Sequence, residues 1–394
     1  MSKMPKPLSN DKFVIGAWRK ARYDSMDLHW LAYRMLTNFE MYVDWIHLQI
    51  YGCPFVFNEV HHTIIQALQD FADGKYPTRN IAINVFPGIG KTTLVQYWIS
   101  WCFARCRSAM FLYISAVEDI AKELSAATRD IMLQPKWQQA YGVEIDNSKL
   151  TGAQASKKRW QLKSGGQNSG LIARTMSSSL LGLSAGNPNA DGFPGGVVVD
   201  DPQGYDIVTQ PYARETTIQI YKGPVESRRR GNSIGTVLIQ QRLHLNDLTG
   251  YLKRTEPEDW TFISVPALIE NPDGTYRSTC ERVMGVEELL KMKQNDPYKF
   301  YAMYQQEPIQ TGGSFFHDSD FQYYQALPQM QQTFIATDFA FKKEQSRDRT
   351  CLMHLGLGMD NNVYLLDYIA FRDDVIGVAK RFVEFFFKSR ERDP

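Results

Sequence analysis

A chain of 394 residues is long enough for two or three domains and a sizeable core, and its 43% apolar and 22% charged residues exclude a disordered or fibrous polypeptide. A net charge of +1 neither suggests nor excludes nucleic acid, because a groove can be basic on a neutral protein. The opening MSKMPKPLSNDK lacks the apolar core of a signal peptide, no run is long and apolar enough to span a bilayer, and Cys53, Cys102, Cys106, Cys280 and Cys351 are odd in number without metal spacing, so a reduced cytosolic compartment is expected.

Residues 1–75 are aromatic-rich and helical in pattern; Ile64, Ile65, Leu68 and Phe71 recur at helical spacing. IAINVF (81–86) is a short apolar run suited to a buried parallel strand. TLVQYWISWCFARC is apolar nearly all round and predicts a buried helix, which accounts for Cys102 and Cys106 without a metal. AMFLYIS (109–115) predicts a second buried strand. EDIAKELSAATRDIM (118–132) predicts an amphipathic helix with Ile120, Ala121, Leu124 and Ile131 on its inner face. Further strands are expected at GLIA (170–173), GGVVVD (195–200), GTVLIQ (235–240) and FISV (262–265). Buried strands alternating with helices predict a mostly parallel, helix-covered sheet over 76–265. Residues 266–312 read as a polar helical linker. Strands at 333–338, 351–357 and 363–369, then a helix over 373–390 with Val375, Ala379, Phe382, Val383 and Phe386 inward, open another domain over 313–394.

The stretch NVFPGIGKTT (84–93) resembles the phosphate loop G-x-x-x-x-G-K-[ST], with Val85 where the first glycine stands. Such a loop needs inward backbone N–H groups, a helix N-terminus, a lysine and a hydroxyl. Pro87, Gly88, Ile89 and Gly90 supply the bend, Lys91 reaches the β- and γ-phosphates of ATP, Thr92 holds Mg²⁺, and Thr93 closes the segment. GGVVVDDP (195–202) is an apolar strand ending in two acids. Alone, Asp-Asp-Pro is a strand-ending turn; beside the loop, Asp200 fits the cation-holding acid and Asp201 the acid that deprotonates the attacking water. GTVLIQQRLHLNDLTG (235–250) ends a buried strand in Gln240-Gln241-Arg242, polar groups placed to sense a γ-phosphate. The histidines His61, His62 and His244 show no metal spacing and read as surface or capping residues.

With these elements in this order, the chain resembles the large subunit of a tailed-phage terminase over nearly its whole length. HHTIIQALQDFADGK followed by RNIAINVFPGIGKTTL resembles that family's opening, and YISAVEDIAKELSAATRDIM its next strand and helix. GGVVVDDP resembles its Walker B strand, GTVLIQQRLHLNDLTG its coupling segment, and WTFISVPALIE and FYAMYQQEP the approach to its nuclease. The resemblance implies an α/β P-loop ATPase of the ASCE type followed by a ribonuclease H-like domain. It implies a motor that drives double-stranded viral DNA into procapsids, with Lys91, Asp201, Gln241 and Arg242 acting in turnover. It further implies a portal protein, a small terminase subunit, a ring of identical subunits and the bacterial cytoplasm as the setting, with no membrane. Many relatives carry arginine where this chain has Gly88, so a charge-stabilising arginine must come from elsewhere; Arg129 and Arg174 are the candidates, and each also reads as a surface or capping residue. Arg228-Arg229-Arg230 reads either as a solvated loop or as a contact to DNA phosphates.

TFIATDFAF resembles the first strand of the family's nuclease and puts Asp338 at its first metal-binding position, for Mg²⁺ or Mn²⁺. Asp348 reads as an accessory ligand and Asp367 as structural. The family's further acids lie on later elements without counterparts in this sequence, so the nuclease domain is expected to be incomplete and inactive by itself. Two other readings remain beside the packaging motor: a DNA-dependent ATPase or helicase built on the same core, and a non-enzymatic DNA- or capsid-binding protein with a vestigial loop.

Overall fold

The computed structural model describes residues 12–146, 155–163, 169–208, 210–309, 323–340 and 349–391. The chain forms two compact units, Met1–Thr311 and Gly312–Pro394.

The first unit is built on a seven-stranded sheet. Its strands are β1 (Asn80–Val85), β2 (Met110–Ser115), β3 (Arg159–Trp160), β4 (Gly170–Thr175), β5 (Gly195–Asp200), β6 (Gly235–Gln240) and β7 (Trp260–Val265). Their order is β3-β4-β2-β5-β6-β1-β7, and every neighbouring pair is parallel except β3 with β4. β1, β2, β5 and β6 are buried at every position, as continuous Ile, Val and Leu runs require when both sheet faces are covered. Alternate residues of one strand serve opposite cores: Phe111 and Tyr113 pack with the helices on one face, while Met110, Leu112 and Ile114 pack with Ile218, Tyr221, Leu248 and Leu252 on the other.

The helices on the first face are α1 (Lys12–Asp24), α2 (Leu28–Leu36), α3 (Phe39–Tyr51), α4 (Glu59–Ala72), α5 (Lys91–Arg105) and α6 (Glu118–Met132). α5 is buried nearly all round, as its composition predicts, and Trp98 and Trp101 donate their indole N–H groups to the carbonyls of Leu68 and Met35. α6 departs from expectation. Ile120 is exposed, and the inner face is Ala121, Leu124, Ser125, Thr128, Ile131 and Met132. Thr128 can be buried because its hydroxyl donates back to the Leu124 carbonyl, a possibility that a hydrophobic-periodicity argument discards.

Residues 266–309 are less helical than the sequence suggests. A hairpin of β8 (Leu268–Glu270) and β9 (Tyr276–Ser278) closes over Asn271-Pro272-Asp273-Gly274 before the helix Val286–Asn295. Three-residue strands carry too little alternation to be seen, although the turn signal is present.

In the second unit β10 (Met330–Asp338), β11 (Thr350–Gly358) and β12 (Val363–Phe371) form an antiparallel sheet, followed by the helix Val375–Glu391. The helix buries Val378, Phe385 and Ser389, with Phe382 half-buried, whereas Val375, Ala379, Val383 and Phe386 are exposed. Of the inward set read from sequence, Phe382 alone stays on the packed side. The helix has apolar residues around its circumference, so periodicity could not select the face. Asp338 is exposed at the end of β10, opposite Cys351. Asp348 lies outside the described residues. Asp367 accepts from Lys388 Nζ at 2.9 Å, tying β12 to the helix. Among the described residues no group of three or more His, Cys, Asp or Glu side chains could hold a metal ion, and no helix is long and apolar enough to cross a membrane.

Candidate nucleotide-binding site

The parallel arrangement brings the carboxyl ends of β1, β2, β5 and β6 to one edge of the sheet, where ligands of open α/β folds bind. β1 runs through Val85, which is strand and pairs with Val265, so the place of the missing glycine falls before the bend begins. The bend is made by Gly88 and Gly90, with φ of 86° and 78°, left-handed conformations that a side chain would strain. Gly90 is the N-cap of α5 and no side chain caps that helix. Its first N–H groups and the positive end of its dipole therefore face the loop, the arrangement that draws an anion.

β6 lies between β1 and β5, so the loop and the acidic pair are separated by about 10 Å of sheet. Lys91 and Thr92 span it. Lys91 Nζ lies 2.6 Å from Asp201 Oδ2. Thr92 Oγ1 donates to Asp200 Oδ2 at 2.8 Å. Asp200 is buried, and its second oxygen, Oδ1, is buried without a partner. Burial, and then the charge of Asp201, push the Asp200 carboxyl up to about 6, against the pull of Lys91, Tyr113 and Thr92. Asp201 follows it with φ of 41°, a left-handed turn that points consecutive acids in different directions. Its Oδ1 accepts the backbone N–H of Gln241 at 3.2 Å.

Of the residues named from sequence, Lys91, Thr92, Asp200 and Asp201 converge. Gln241 joins them through its backbone, and its side-chain Oε1 is buried without a partner. Arg242 is placed differently. Its guanidinium is buried against Asp247, with Nε 3.0 Å and 2.9 Å from the two carboxylate oxygens, and its backbone N–H donates to Gln306 Oε1 at 2.9 Å. Arg174 lies at the end of β4 and donates to the carbonyls of Lys158 and Ala173; Arg129 lies on α6 beside Asp130. Gly88 has little room for a longer side chain, since a Cβ there would stand 3.1 Å from Val283 Cγ1. Within the arginine triplet, Arg228 bonds to the carbonyls of Pro224 and Leu180, and Arg229 to Asn80 Oδ1, so two of the three arginines brace the fold rather than stand free in solvent.

Two contributors were not legible in the sequence. Tyr113, on β2, donates its hydroxyl to Asp200 Oδ2 at 2.8 Å. His61, in the first turn of α4, is buried and reaches the loop itself. Its Nδ1 accepts the Asn58 N–H at 2.9 Å, so the ring proton sits on Nε2, which donates to the Ile89 carbonyl at 2.9 Å. Turning that carbonyl toward the histidine keeps it from facing an anion in the loop. The Asn58–His61 capping spacing was a usable signal; the contact with Ile89, 28 residues on, was not.

No protein-family model matches the chain, and no curated protein matches it. Among solved structures it is similar to the large terminase of bacteriophage HK97, at 13% identity and a TM-score of 0.45, over 85% of this chain and 67% of that one. It is also similar to the large terminase of a thermophilic bacteriophage in complex with ADP, at 9% identity and a TM-score of 0.39, over 86% and 75%. A third is the large terminase ATPase domain of a Thermus phage, at 11% identity and a TM-score of 0.36, over 61% and 93%.

Proposed function

We propose that the chain is an ATP-hydrolysing motor subunit of the terminase type, which moves double-stranded viral DNA into procapsids. One observation carries the nucleotide reading: Lys91 meets Asp201 at 2.6 Å while Thr92 meets Asp200 at 2.8 Å, at the carboxyl edge of a parallel sheet.

In this reading the triphosphate lies along Pro87–Thr93, held by the N–H groups of the loop and of the start of α5. Its γ-phosphate oxygens draw Lys91 Nζ from Asp201, and the freed Asp201 carboxylate becomes the base. A water oxygen attacks the γ-phosphorus, its proton passes to Asp201, and the bond from phosphorus to the β–γ bridging oxygen breaks, giving ADP and phosphate. Thr92 and Asp200 fit Mg²⁺, because a hydroxyl and a carboxylate are hard oxygen donors and Asp200 Oδ1 has no other partner. Bound there, Mg²⁺ would be held by Thr92 and Asp200 and would supply neutralisation of the charge that develops on the nucleotide phosphates. Protonation and release of Asp201 disturb its bond to Gln241, and the next residue, Arg242, holds the linker through Gln306. That chain of contacts is the proposed route from hydrolysis to movement.

The cargo and partners rest on the order of the quoted motifs: duplex DNA, a portal-bearing procapsid, a small terminase subunit, and a ring in which Arg129 or Arg174 reaches the neighbour's phosphates. The test is phosphate release from ATP by the purified chain, with and without duplex DNA and empty portal-bearing capsids. Lys91→Ala is expected to abolish release while circular dichroism stays unchanged; wild-type turnover in that variant refutes the assignment. Strand displacement by the wild-type chain would turn the reading to a helicase.

A further inference from the structure

Tyr113 stands on β2, a strand that gives no residue to the phosphate loop or to the acidic pair. It is fully buried, and its ring packs in the core shared with α5. A buried tyrosine hydroxyl needs a partner, and backbone carbonyls are the common choice. Here it donates to Asp200 Oδ2 at 2.8 Å. β2 and β5 run parallel with Ser115 opposite Asp200, so Tyr113 reaches up diagonally from two residues earlier.

The same oxygen accepts Thr92 Oγ1, also at 2.8 Å. Two donors arrive at Oδ2 from different elements, and none arrives at Oδ1. Rotation about the terminal bond of an aspartate is soft and roughly two-fold. One donor leaves that rotation open; a second, from a separate rigid strand, stops it and fixes which oxygen is presented. We infer that Tyr113 is a positioning residue for the acid of the nucleotide site: with Thr92 it pins Oδ2 of Asp200 and so fixes the carboxylate, leaving Oδ1 as the oxygen without a partner, for a divalent cation on the nucleotide phosphates. This inference rests on the ATP reading of the site, and it adds a residue of β2, outside the loop and the acidic pair.

Tyr113→Phe keeps the ring and its packing and removes the hydroxyl alone. The full chain is titrated with a fluorescent ATP analogue at a series of Mg²⁺ concentrations and in EDTA, and Mn²⁺ held by the analogue complex is counted by electron paramagnetic resonance. Outer-sphere donors of this kind are worth about tenfold or more in cation affinity. The Mg²⁺ midpoint is therefore expected to rise about tenfold in Tyr113→Phe, with a matching loss of bound Mn²⁺, while affinity in EDTA stays at the wild-type value. An unchanged Mg²⁺ midpoint overturns the inference and leaves the ATP reading standing. Equal losses with Mg²⁺ and in EDTA overturn it too, as does a variant that fails to fold, because the hydroxyl would then serve the fold and not the cation. A wild-type chain that binds no analogue under any condition removes the ATP reading itself.

Discussion

Lys91 Nζ and Asp201 Oδ2 lie 2.6 Å apart, so the cation of the phosphate loop and the second acid of the β5 edge are each other's counter-ion. The pair is part-buried, with the lysine more covered than the acid. In the proposed reading a triphosphate entering the loop would compete directly for the lysine, so that binding of the anion and release of the acid would be one event.

Asp201→Asn separates the two roles. The amide still accepts from Gln241 N–H but cannot take a proton from water. Nucleotide affinity is expected to remain within a few-fold of wild type, while single-turnover phosphate release falls about a hundredfold or more. A variant that binds and hydrolyses normally would move the base elsewhere.

Asp200→Asn is expected to stabilise the protein while impairing it. The carboxyl is raised from 3.8 to about 6, so the folded chain holds this proton more tightly than the unfolded chain does. The stabilisation is complete below the unfolded value and is lost as pH rises through about 6; at neutral pH the buried charge costs on the order of 2–3 kcal/mol. Asparagine retains an acceptor for Thr92 and Tyr113 without the charge. Urea melts at neutral pH should show a gain of about 1–3 kcal/mol, together with weakened Mg²⁺-dependent nucleotide binding.

His61 sets an acid limit. Burial holds its imidazole below the ordinary 6.5, partly offset by the Ile89 carbonyl and reinforced by His62 and Arg282. The folded state prefers the neutral ring, so its contribution is present above 6.5 and is lost as pH falls through the lower folded value. Protonation puts a hydrogen on Nδ1 against the Asn58 N–H and breaks that bond, while Nε2–H still donates to the Ile89 carbonyl and a positive charge now stands buried beside the loop. His61→Gln can keep both bonds without titrating, and its nucleotide affinity should be flatter than wild type between about pH 7 and about pH 5. Identical slopes in the two proteins would exclude His61 as the group responsible.

Gly90→Ala probes the backbone alone. No atom lies within 4 Å of an added Cβ, yet φ is +78°. The strain is about 1 kcal/mol in stability. Because the left-handed residue aims the first N–H groups of α5, nucleotide affinity should fall by more than that strain implies. A loss of stability with unchanged affinity would mean that the loop tolerates another path.

Asp247 anchors the strand-end segment rather than the chemistry. Fully buried, it accepts from Arg242 Nε and from the backbone N–H groups of Leu243, His244 and Gly250. Asp247→Ala strands the Arg242 charge and uncaps the helix Leu248–Thr255, for a loss of about 3–5 kcal/mol by chemical denaturation. It should be the most destabilising of these variants; a loss under about 1 kcal/mol would show that water reaches Arg242.

The sequence by itself determined the parallel sheet, because strands buried on both faces must be continuous apolar runs, and it determined the loop and the acidic pair, because each is a contiguous stretch whose chemistry requires those residues in that order. Only the tertiary structure decided which neighbours those residues keep. Arg242 reads as a sensor from its place after β6, yet a buried guanidinium must find a carboxylate, and Asp247 is nearest. Tyr113 and His61 read as core and capping residues, yet strand register and helix packing bring their polar atoms to Asp200 and Ile89. The inward faces of α6 and of the helix Val375–Glu391 were misread for a related reason: periodicity counts apolar residues, whereas burial is settled by what packs opposite, and a threonine or serine with a hydrogen-bond partner can take a place that an isoleucine leaves.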